Sequence, residues 1–479
     1  MLRHDATFRH PALSLWQAAL HETLARRAGL AGMPGEGLHL SAEHEAMRAT
    51  HAAAREALQP GLPQPPAPHP DGLPLRREAL QCARLFVQLA LAHARRDAAG
   101  VALLRSEVRY LSCDPLWLEA LVAYERALER GGPPAYVRHR QLSDFVLDGV
   151  LPDPARVALL ADWGTGMPDA EGLLEQVAQA RPDVVLHLGD IYYAGTPHEV
   201  RAHFLDLFAR AFPQGRPPVF ALAGNHDRYS GGEGYRQLLA ALGQPASYFC
   251  LRNAHWQLLA LDTGLHDPSP REAGHTLTTL ERSELAWHRD KLLNAGGRRS
   301  VLLSHHPYLS FSGVGQDAEG RSVAVNPHLR AGLGELLERV ALWLWGHEHD
   351  LLVFAPYAGL ARGRCIGAGA VPRLVHPQRR SPLPGLRLPE GERAPPSVLP
   401  HTRLSDDGLL DFHAWALLEL QGAAATVSYF QAPCRELRPG RTPPRTAPLF
   451  TEHLPAREGP RLPPPAEKGG EFAVEDRTV

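Results

Sequence analysis

Apolar residues recur at two different spacings along the chain, and the spacing changes near residue 156. In residues 1–150, segments such as LSLWQAALHETLARRAGL and PLWLEALVAYERALER place apolar side chains three and four positions apart, with charged residues between them. This spacing is typical of one buried face of an α-helix. We therefore expect an all-helical N-terminal region over residues 1–150, interrupted by the proline-rich connection QPGLPQPPAPHPDG at residues 59–72.

From residue 156 onward, short apolar runs alternate with helical segments. The runs are RVALL, VVLHL, VFALA, HWQLLALD, SVLLS and ALWLW, and helical patterns separate the first three. This alternation predicts a layered α/β domain with buried strands over residues 151–435. Residues 413–433 predict two further strands joined at QGAA, and residues 377–403, rich in Pro and Arg, predict a long surface loop. The Pro-rich, charged residues 436–479 predict a disordered tail.

Composition narrows the class of protein. The 50 basic and 52 acidic residues leave a formal net charge of −2, which argues against a general nucleic-acid-binding surface. The five cysteines are far apart and show no CxxC spacing, so a disulfide framework or a thiolate zinc site is not expected. The first residues carry charges where a signal peptide would be apolar, and no run approaches 18 apolar residues. We therefore expect a cytoplasmic protein without a membrane span.

The residues that follow the apolar runs share one kind of chemistry. They are Asp162, then Asp190, then Asn225, His226 and Asp227, then His305 and His306, and last His347, Glu348 and His349. Carboxylate, amide oxygen and imidazole are ligands of divalent and trivalent metals. Each group alone is also compatible with an ordinary turn or loop. Because ligand sites in such sheets lie at the carboxyl ends of the strands, the five groups together predict one metal site.

The five blocks resemble the calcineurin-like metallophosphoesterase superfamily. The blocks are ADWG (161–164), GDIYY (189–193), GNHD (224–227), SHHP (304–307) and GHEH (346–349). The resemblance covers about residues 155–433 and implies a β-sandwich flanked by helices, with two metal ions at the strand ends. It implies that Asp190 bridges both metals and that His226 faces the substrate phosphate as a catalytic group. The other implied ligands are Asp162 and His349 for the first metal, and Asn225, His305 and His347 for the second.

The first block differs from most of the superfamily. Most members have Asp-x-His there, and that histidine binds the first metal, whereas this chain has Gly164. The purple acid phosphatase branch is similar to this chain: it has Asp-x-Gly, and the tyrosine of Gly-Asp-x-x-Tyr supplies the ligand. At that spacing the chain has Tyr193, and a phenolate ligand implies Fe(III) in the first site, with Fe(II), Zn or Mn in the second. Tyr192 is expected to point the other way and to pack.

Three further residues are candidates for the site. Asp227 is expected to orient His226 as a catalytic partner or, as the open alternative, to cap a turn. His306 and Tyr308 follow a ligand closely and are candidate substrate-binding residues. Residues 306–330 form a long polar segment that is either a lip beside the substrate or a plain surface excursion.

The function predicted from these residues is hydrolysis of a small-molecule or protein phosphomonoester by a metal-activated hydroxide. One alternative within the class is a phosphodiesterase acting on a cyclic nucleotide or another diester. From another class, the chain could be a catalytically silent, metal-binding regulatory or scaffold protein. The helical N-terminal region would then dock a partner, or cap the site in an enzyme. A nuclease is less favoured, because no basic stretch interleaved with aromatic residues is present.

Overall fold

The structure is a computed structural model of the whole chain, and only part of the chain is described. The described residues are 127, 129–130, 136–268, 276–371, 373, 381–406, 411–433 and 447–456. The predicted helices of residues 1–126 lie outside the described residues, as does the predicted tail beyond residue 456. No helix among the described residues is long and apolar enough to cross a membrane.

One layer of the fold is a seven-stranded sheet. Its strands, in spatial order, are β1 (Val146–Asp148), β5 (Phe249–Arg252), β6 (Trp256–Ala260), β7 (Arg299–Ser304), β8 (Val340–Trp345), β10 (Gly363–Ile366) and β9 (Leu351–Val353). The neighbours β6, β7 and β8 run parallel. Their carboxyl ends therefore meet at one edge of the sheet.

A second layer is a six-stranded sheet. Its strands, in spatial order, are β13 (Phe450–Leu454), β12 (Ala424–Ala432), β11 (His413–Gln421), β2 (Ala155–Leu160), β3 (Val184–His187) and β4 (Val219–Ala221). The strands β2, β3 and β4 run parallel, and β11 and β12 form the hairpin predicted at QGAA. The described residues 381–403 contain neither helix nor strand, as predicted.

The strands are apolar throughout because both of their faces are buried. In β2, Val157 and Leu159 belong to the core between the two sheets. Ala158 and Leu160, which alternate with them, belong to the core between the six-stranded sheet and its helices. Alternate side chains of a strand point to opposite faces, so a sheet that is covered on both sides needs continuous apolar runs.

Helices cover the outer face of each sheet. Those on the six-stranded sheet are α1 (Pro168–Gln179), α2 (Pro197–Glu199), which continues through a π-helical turn (Val200–Leu205) into α3 (Asp206–Ala211), and α5 (Glu233–Leu242). The short helix α4 (His226–Tyr229) lies between β4 and α5 along the chain. Those on the seven-stranded sheet are α6 (Arg282–Leu293) and α7 (Pro327–Leu333), which ends in a 3₁₀ turn (Gly334–Arg339). The predicted β-sandwich flanked by helices is confirmed.

Two predicted boundaries are wrong. Strand β1 lies inside the stretch that was expected to be helical up to residue 150, and it pairs with β5. Strand β13 lies inside the stretch that was expected to be a disordered tail from residue 436, and it pairs with β12 along all five of its residues. Both strands are short edge strands, whose position depends on pairing and not on an apolar run.

Candidate metal centre

The residues singled out in the sequence follow strands whose carboxyl ends meet at one edge of the sandwich. Asp162, Asp190 and Asn225 come after β2, β3 and β4 of the six-stranded sheet. His305 comes after β7, and His347 and His349 come after β8, in the seven-stranded sheet. The two sheets therefore each contribute neighbouring loops to one place, as the sequence predicted.

One group of side chains surrounds the hydroxyl of Tyr192. This oxygen lies 3.0 Å from Asp162 Oδ1, 3.2 Å from Asp190 Oδ2 and 3.1 Å from His349 Nε2. His349 Nε2 also lies 3.2 Å from Asp162 Oδ1. Both carboxylates are completely buried. Two carboxylate oxygens, an imidazole and a phenol therefore converge on one point.

A second group surrounds the amide oxygen of Asn225. Asn225 Oδ1 lies 3.0 Å from His305 Nε2 and 3.1 Å from His347 Nδ1, and these two nitrogens are 3.2 Å apart. Asp190 Oδ1 lies 3.4 Å from His305 Nε2. One oxygen of Asp190 thus reaches each group, which is the arrangement that a bridging ligand requires.

The donor set fits a pair of metal ions. Buried carboxylates are costly without a positive partner, and oxygen and imidazole ligands together suit divalent and trivalent cations. The donor atoms of Asp162, Asp190 and His305 all lie within 4.8 Å of one another, as do those of His305, His306 and His347. Each of these two sets of three donor atoms therefore has the spacing of atoms that share a cation.

Neighbouring groups aim these side chains. His305 Nδ1 lies 3.0 Å from the carbonyl oxygen of Leu188, which assigns the proton to Nδ1 and directs Nε2 into the site. Asn225 Nδ2 donates to the hydroxyl of Tyr229 at 2.6 Å, so its Oδ1 faces the two histidines. The side-chain orientations are therefore set by fixed hydrogen-bond partners.

The backbone at the site is held in a conformation that non-glycine residues rarely adopt. Asp162, Asp190 and His347 have φ values of 52°, 74° and 69°, in the left-handed region. Space is equally restricted: a Cβ atom at Gly224 would lie 2.1 Å from Asp190 Oδ1, and one at Gly346 would lie 2.5 Å from Asp162 Oδ2. Strained residues of this kind cluster at functional sites.

The hydroxyl that the structure places among these side chains is that of Tyr192, whereas the sequence predicted Tyr193 as the ligand and Tyr192 as a packing residue. Gly164 forms a bridge with Ile191, and Tyr192 N donates to Gly164 O at 2.9 Å. This pairing holds the backbone of Tyr192 against the loop that follows β2. A Cβ atom at Gly164 would lie 2.9 Å from the Cα of Ile191, so the close approach of the two loops leaves no room for the histidine found in most of the superfamily. Tyr193 is near the site through its carbonyl oxygen, which lies 2.7 Å from His226 Nδ1.

The expectation that Asp227 orients His226 as a catalytic partner is also wrong. The carboxylate of Asp227 accepts hydrogen bonds from the backbone N–H groups of Gly224, Asp190 and Ile191, at 2.8, 2.9 and 3.2 Å. Burial raises the pKa of Asp227 to about 7, although these hydrogen bonds oppose that change. Its role is the alternative one, in which a side chain caps the backbone of a turn.

The two candidate substrate-binding residues differ in their surroundings. His306 lies beside the site, with its ring centroid 4.6 Å from that of His347, and its nitrogens lie 3.1 Å from Thr263 Oγ1 and 3.2 Å from Asp267 Oδ2. Tyr308 is fully buried and stacks on Trp343. The prediction of substrate binding is therefore wrong for Tyr308, which is part of the core.

Glu348 was among the residues named from the sequence, between His347 and His349, but no role was predicted for it. Its Oε1 accepts hydrogen bonds from Ser310 Oγ and Ser312 Oγ, each at 2.5 Å. Burial raises the pKa of Glu348 to about 7. Its position between two candidate ligands was visible in the sequence. Its hydrogen-bond partners, Ser310 and Ser312, were not, because they lie in a distant loop.

The segment that contains the candidate ligands is similar to known proteins. Residues 155–351 match the family model described as calcineurin-like phosphoesterase. A glycerophosphodiester phosphodiesterase, GpdQ, of Enterobacter lignolyticus is 25% identical over 260 residues, which cover 53% of this chain and 84% of that protein.

Solved structures give weaker matches. The purple acid phosphatase PPD1 of yellow lupin (Lupinus luteus) matches with a TM-score of 0.38 and 14% identity, over 59% of this chain and 52% of its own. This chain thus spans about half of the length of the lupin protein. The structure of PhoD matches with a TM-score of 0.44 and 10% identity, over 65% of this chain and 73% of its own. Residues 155–351, which contain all of the candidate metal ligands, are therefore similar to the calcineurin-like phosphoesterase family.

Proposed function

We propose that the protein is a two-metal phosphoester hydrolase. The observation that carries the proposal is the convergence of candidate metal ligands from five strand ends, with the two oxygens of Asp190 reaching the two groups. The first metal would be held by Asp162, Tyr192 and His349, and the second by Asn225, His305 and His347. Two bound cations supply Lewis acidity to a phosphate and lower the pKa of a coordinated water.

His226 is the proposed acid or charge-stabilising group. His226 is 4% exposed, and its backbone N–H donates to Asp190 Oδ1 at 3.1 Å, which fixes the residue beside the shared carboxylate. A carbonyl oxygen can only accept, so the contact with Tyr193 O keeps a proton on Nδ1. It is then Nε2 that would meet the phosphate or the leaving oxygen, in agreement with the role implied by the family resemblance.

The substrate class has two candidates. The resemblance to purple acid phosphatases favours a phosphomonoester. The relative named as a glycerophosphodiester phosphodiesterase favours a diester, which makes a phosphodiesterase the second candidate. A regulatory protein without turnover is the third, and the same assay separates it from the other two.

The test is hydrolysis of p-nitrophenyl phosphate and of bis(p-nitrophenyl) phosphate by purified protein, with Fe, Zn or Mn added and bound metal counted. We expect metal-dependent turnover, and a loss of about 100-fold or more in Asp190→Asn, since that variant weakens both groups. The exposed Asp206→Asn is the matched control and should keep wild-type activity. Bound metal without hydrolysis of either ester would contradict the proposal, and the ratio of the two rates identifies the ester class.

A further inference from the structure

The segment between β7 and α7 begins at a candidate ligand, His305, and folds back on itself. Isolated bridges join Leu309 to Val325 and Gln316 to Ser322. Leu309 and Phe311 are buried, and residues 318–321 at the tip are exposed. We call residues 306–326 the β7–α7 loop. One end of this loop is therefore fixed in the core beside the metal centre, and the other reaches solvent.

The β7–α7 loop is tied to the next strand end by one carboxylate. Ser310 Oγ and Ser312 Oγ both donate to Glu348 Oε1 at 2.5 Å, and the two hydroxyl oxygens are 2.8 Å apart. Glu348 is the residue between His347 and His349. The loop that follows the β7 ligand is thus hydrogen-bonded to the segment that holds both β8 ligands.

This carboxylate depends on the two serines for its hydrogen bonds. Glu348 Oε2 is buried and accepts no hydrogen bond within the part of the chain that the structure describes. A buried carboxylate that also lost the donors on Oε1 would carry the full cost of desolvation. The position of the Glu348 side chain therefore depends on the hydrogen bonds from the two serine hydroxyls.

The position of Glu348 matters because its neighbour is strained. His347 has a φ of 69°, a conformation that persists only where the surroundings hold it. Its backbone N–H donates to Asp162 Oδ2 at 2.7 Å. A shift of this segment would therefore disturb His347 in one group of candidate ligands and Asp162 in the other. An anchor on the adjacent side chain would resist such a shift.

We propose that Glu348 is a positioning residue: through Ser310 and Ser312 it holds the His347–His349 segment and the β7–α7 loop in one arrangement, which couples metal affinity to substrate affinity. This inference rests on the proposed function. The loop begins at His306, beside His347, so a loop released from Glu348 would change the edge of the site. Removing the anchor therefore weakens two measurable affinities together, whereas a merely structural residue would lower stability alone.

The experiment uses the full chain, stripped of metal and titrated with Zn²⁺ by calorimetry, followed by kinetics on the better of the two nitrophenyl esters. In Ser310→Ala/Ser312→Ala we expect the Zn²⁺ dissociation constant to rise about 10-fold or more, as for other residues that orient metal ligands. KM should rise with a smaller change in kcat. Glu348→Gln, which keeps an oxygen to accept both hydroxyls, should stay within about 3-fold of wild type in both quantities.

Two further variants make the result decisive. Ser312 is exposed, so Ser312→Ala removes one donor without disturbing the core, and it should show part of the same two changes. Asp317→Asn removes a carboxylate that holds the far part of the same loop to Arg387, and it should change neither constant. If wild type binds Zn²⁺ and turns over while both serine variants match it, the positioning role is wrong. If wild type binds no Zn²⁺ and hydrolyses neither ester, it is the proposed function that fails.

Discussion

Tyr192 and Tyr193 have the same side chain and adjacent positions, yet they make different contacts with the site. The hydroxyl of Tyr192 lies among two carboxylates and an imidazole, whereas Tyr193 meets His226 through its carbonyl oxygen. Sequence alone could predict that only one of two neighbours points inward. The loop that carries both tyrosines is paired with another loop through Gly164 and Ile191, a contact that no local sequence pattern encodes.

A prediction at the residue scale separates the two tyrosines. If Fe(III) occupies the first site with a tyrosine ligand, the iron-loaded protein should show a broad visible band from the phenolate. Tyr192→Phe should abolish this band, because it removes the hydroxyl oxygen that would bind the iron. Tyr193→Phe, the matched control, should keep it. The opposite pattern, read in the absorption spectra of the two variants, would restore the assignment made from spacing.

At the scale of elements, the sequence predicted the strand ends well because each strand is an apolar run that stops at a polar residue. It therefore predicted Asp162, Asp190, Asn225 and the histidines as neighbours in space. It could not predict how the loops between these ends are joined, because those contacts are hydrogen bonds between distant parts of the chain. Asp227 is the example: it links the loop after β4 to the loop after β3.

This link predicts the effect of Asp227→Ala. Three backbone N–H groups would lose their acceptor, and buried donors left unsatisfied cost about 1–3 kcal/mol each before relaxation. We expect the free energy of unfolding to fall by about 2–4 kcal/mol in urea denaturation of the metal-free protein. The exposed Asp206→Ala should change it by less than about 0.5 kcal/mol. A stable Asp227→Ala that has lost only turnover would instead favour the catalytic role.

At the scale of the whole molecule, an ion pair joins the two sheets. Arg364 in β10 of the seven-stranded sheet contacts Glu452 in β13 of the six-stranded sheet, at 2.8 Å and 2.7 Å, and Tyr429 donates to the same carboxylate at 2.7 Å. The side chains of Arg364 and Glu452 are 3% and 10% exposed. Nothing in the Pro-rich stretch before β13 signals this partner, which is why the strand was expected to be disordered.

The ion pair predicts a large, one-sided effect on stability. Glu452→Ala would leave the Arg364 guanidinium buried without its carboxylate, and breaking such a pair typically costs about 3–5 kcal/mol. The double variant Arg364→Met/Glu452→Leu should recover most of this loss, since no charge remains buried. Glu319→Gln, in an exposed pair with Arg321, should change the unfolding free energy by less than about 1 kcal/mol. Equal stability of Glu452→Ala and wild type by thermal or urea unfolding would mean that β13 does not hold the sheets together.

The absence of space at Gly224 and Gly346 limits which residues a related protein could carry at these two positions. A Cβ atom at either position would overlap a carboxylate oxygen of Asp190 or Asp162. A relative could keep every candidate ligand but carry alanine at one of these positions. Its alanine Cβ atom would then displace a carboxylate that the site needs. Metal binding in this fold therefore depends on the two glycines as well as on the ligands, because the ligands fit only where no Cβ atom is present.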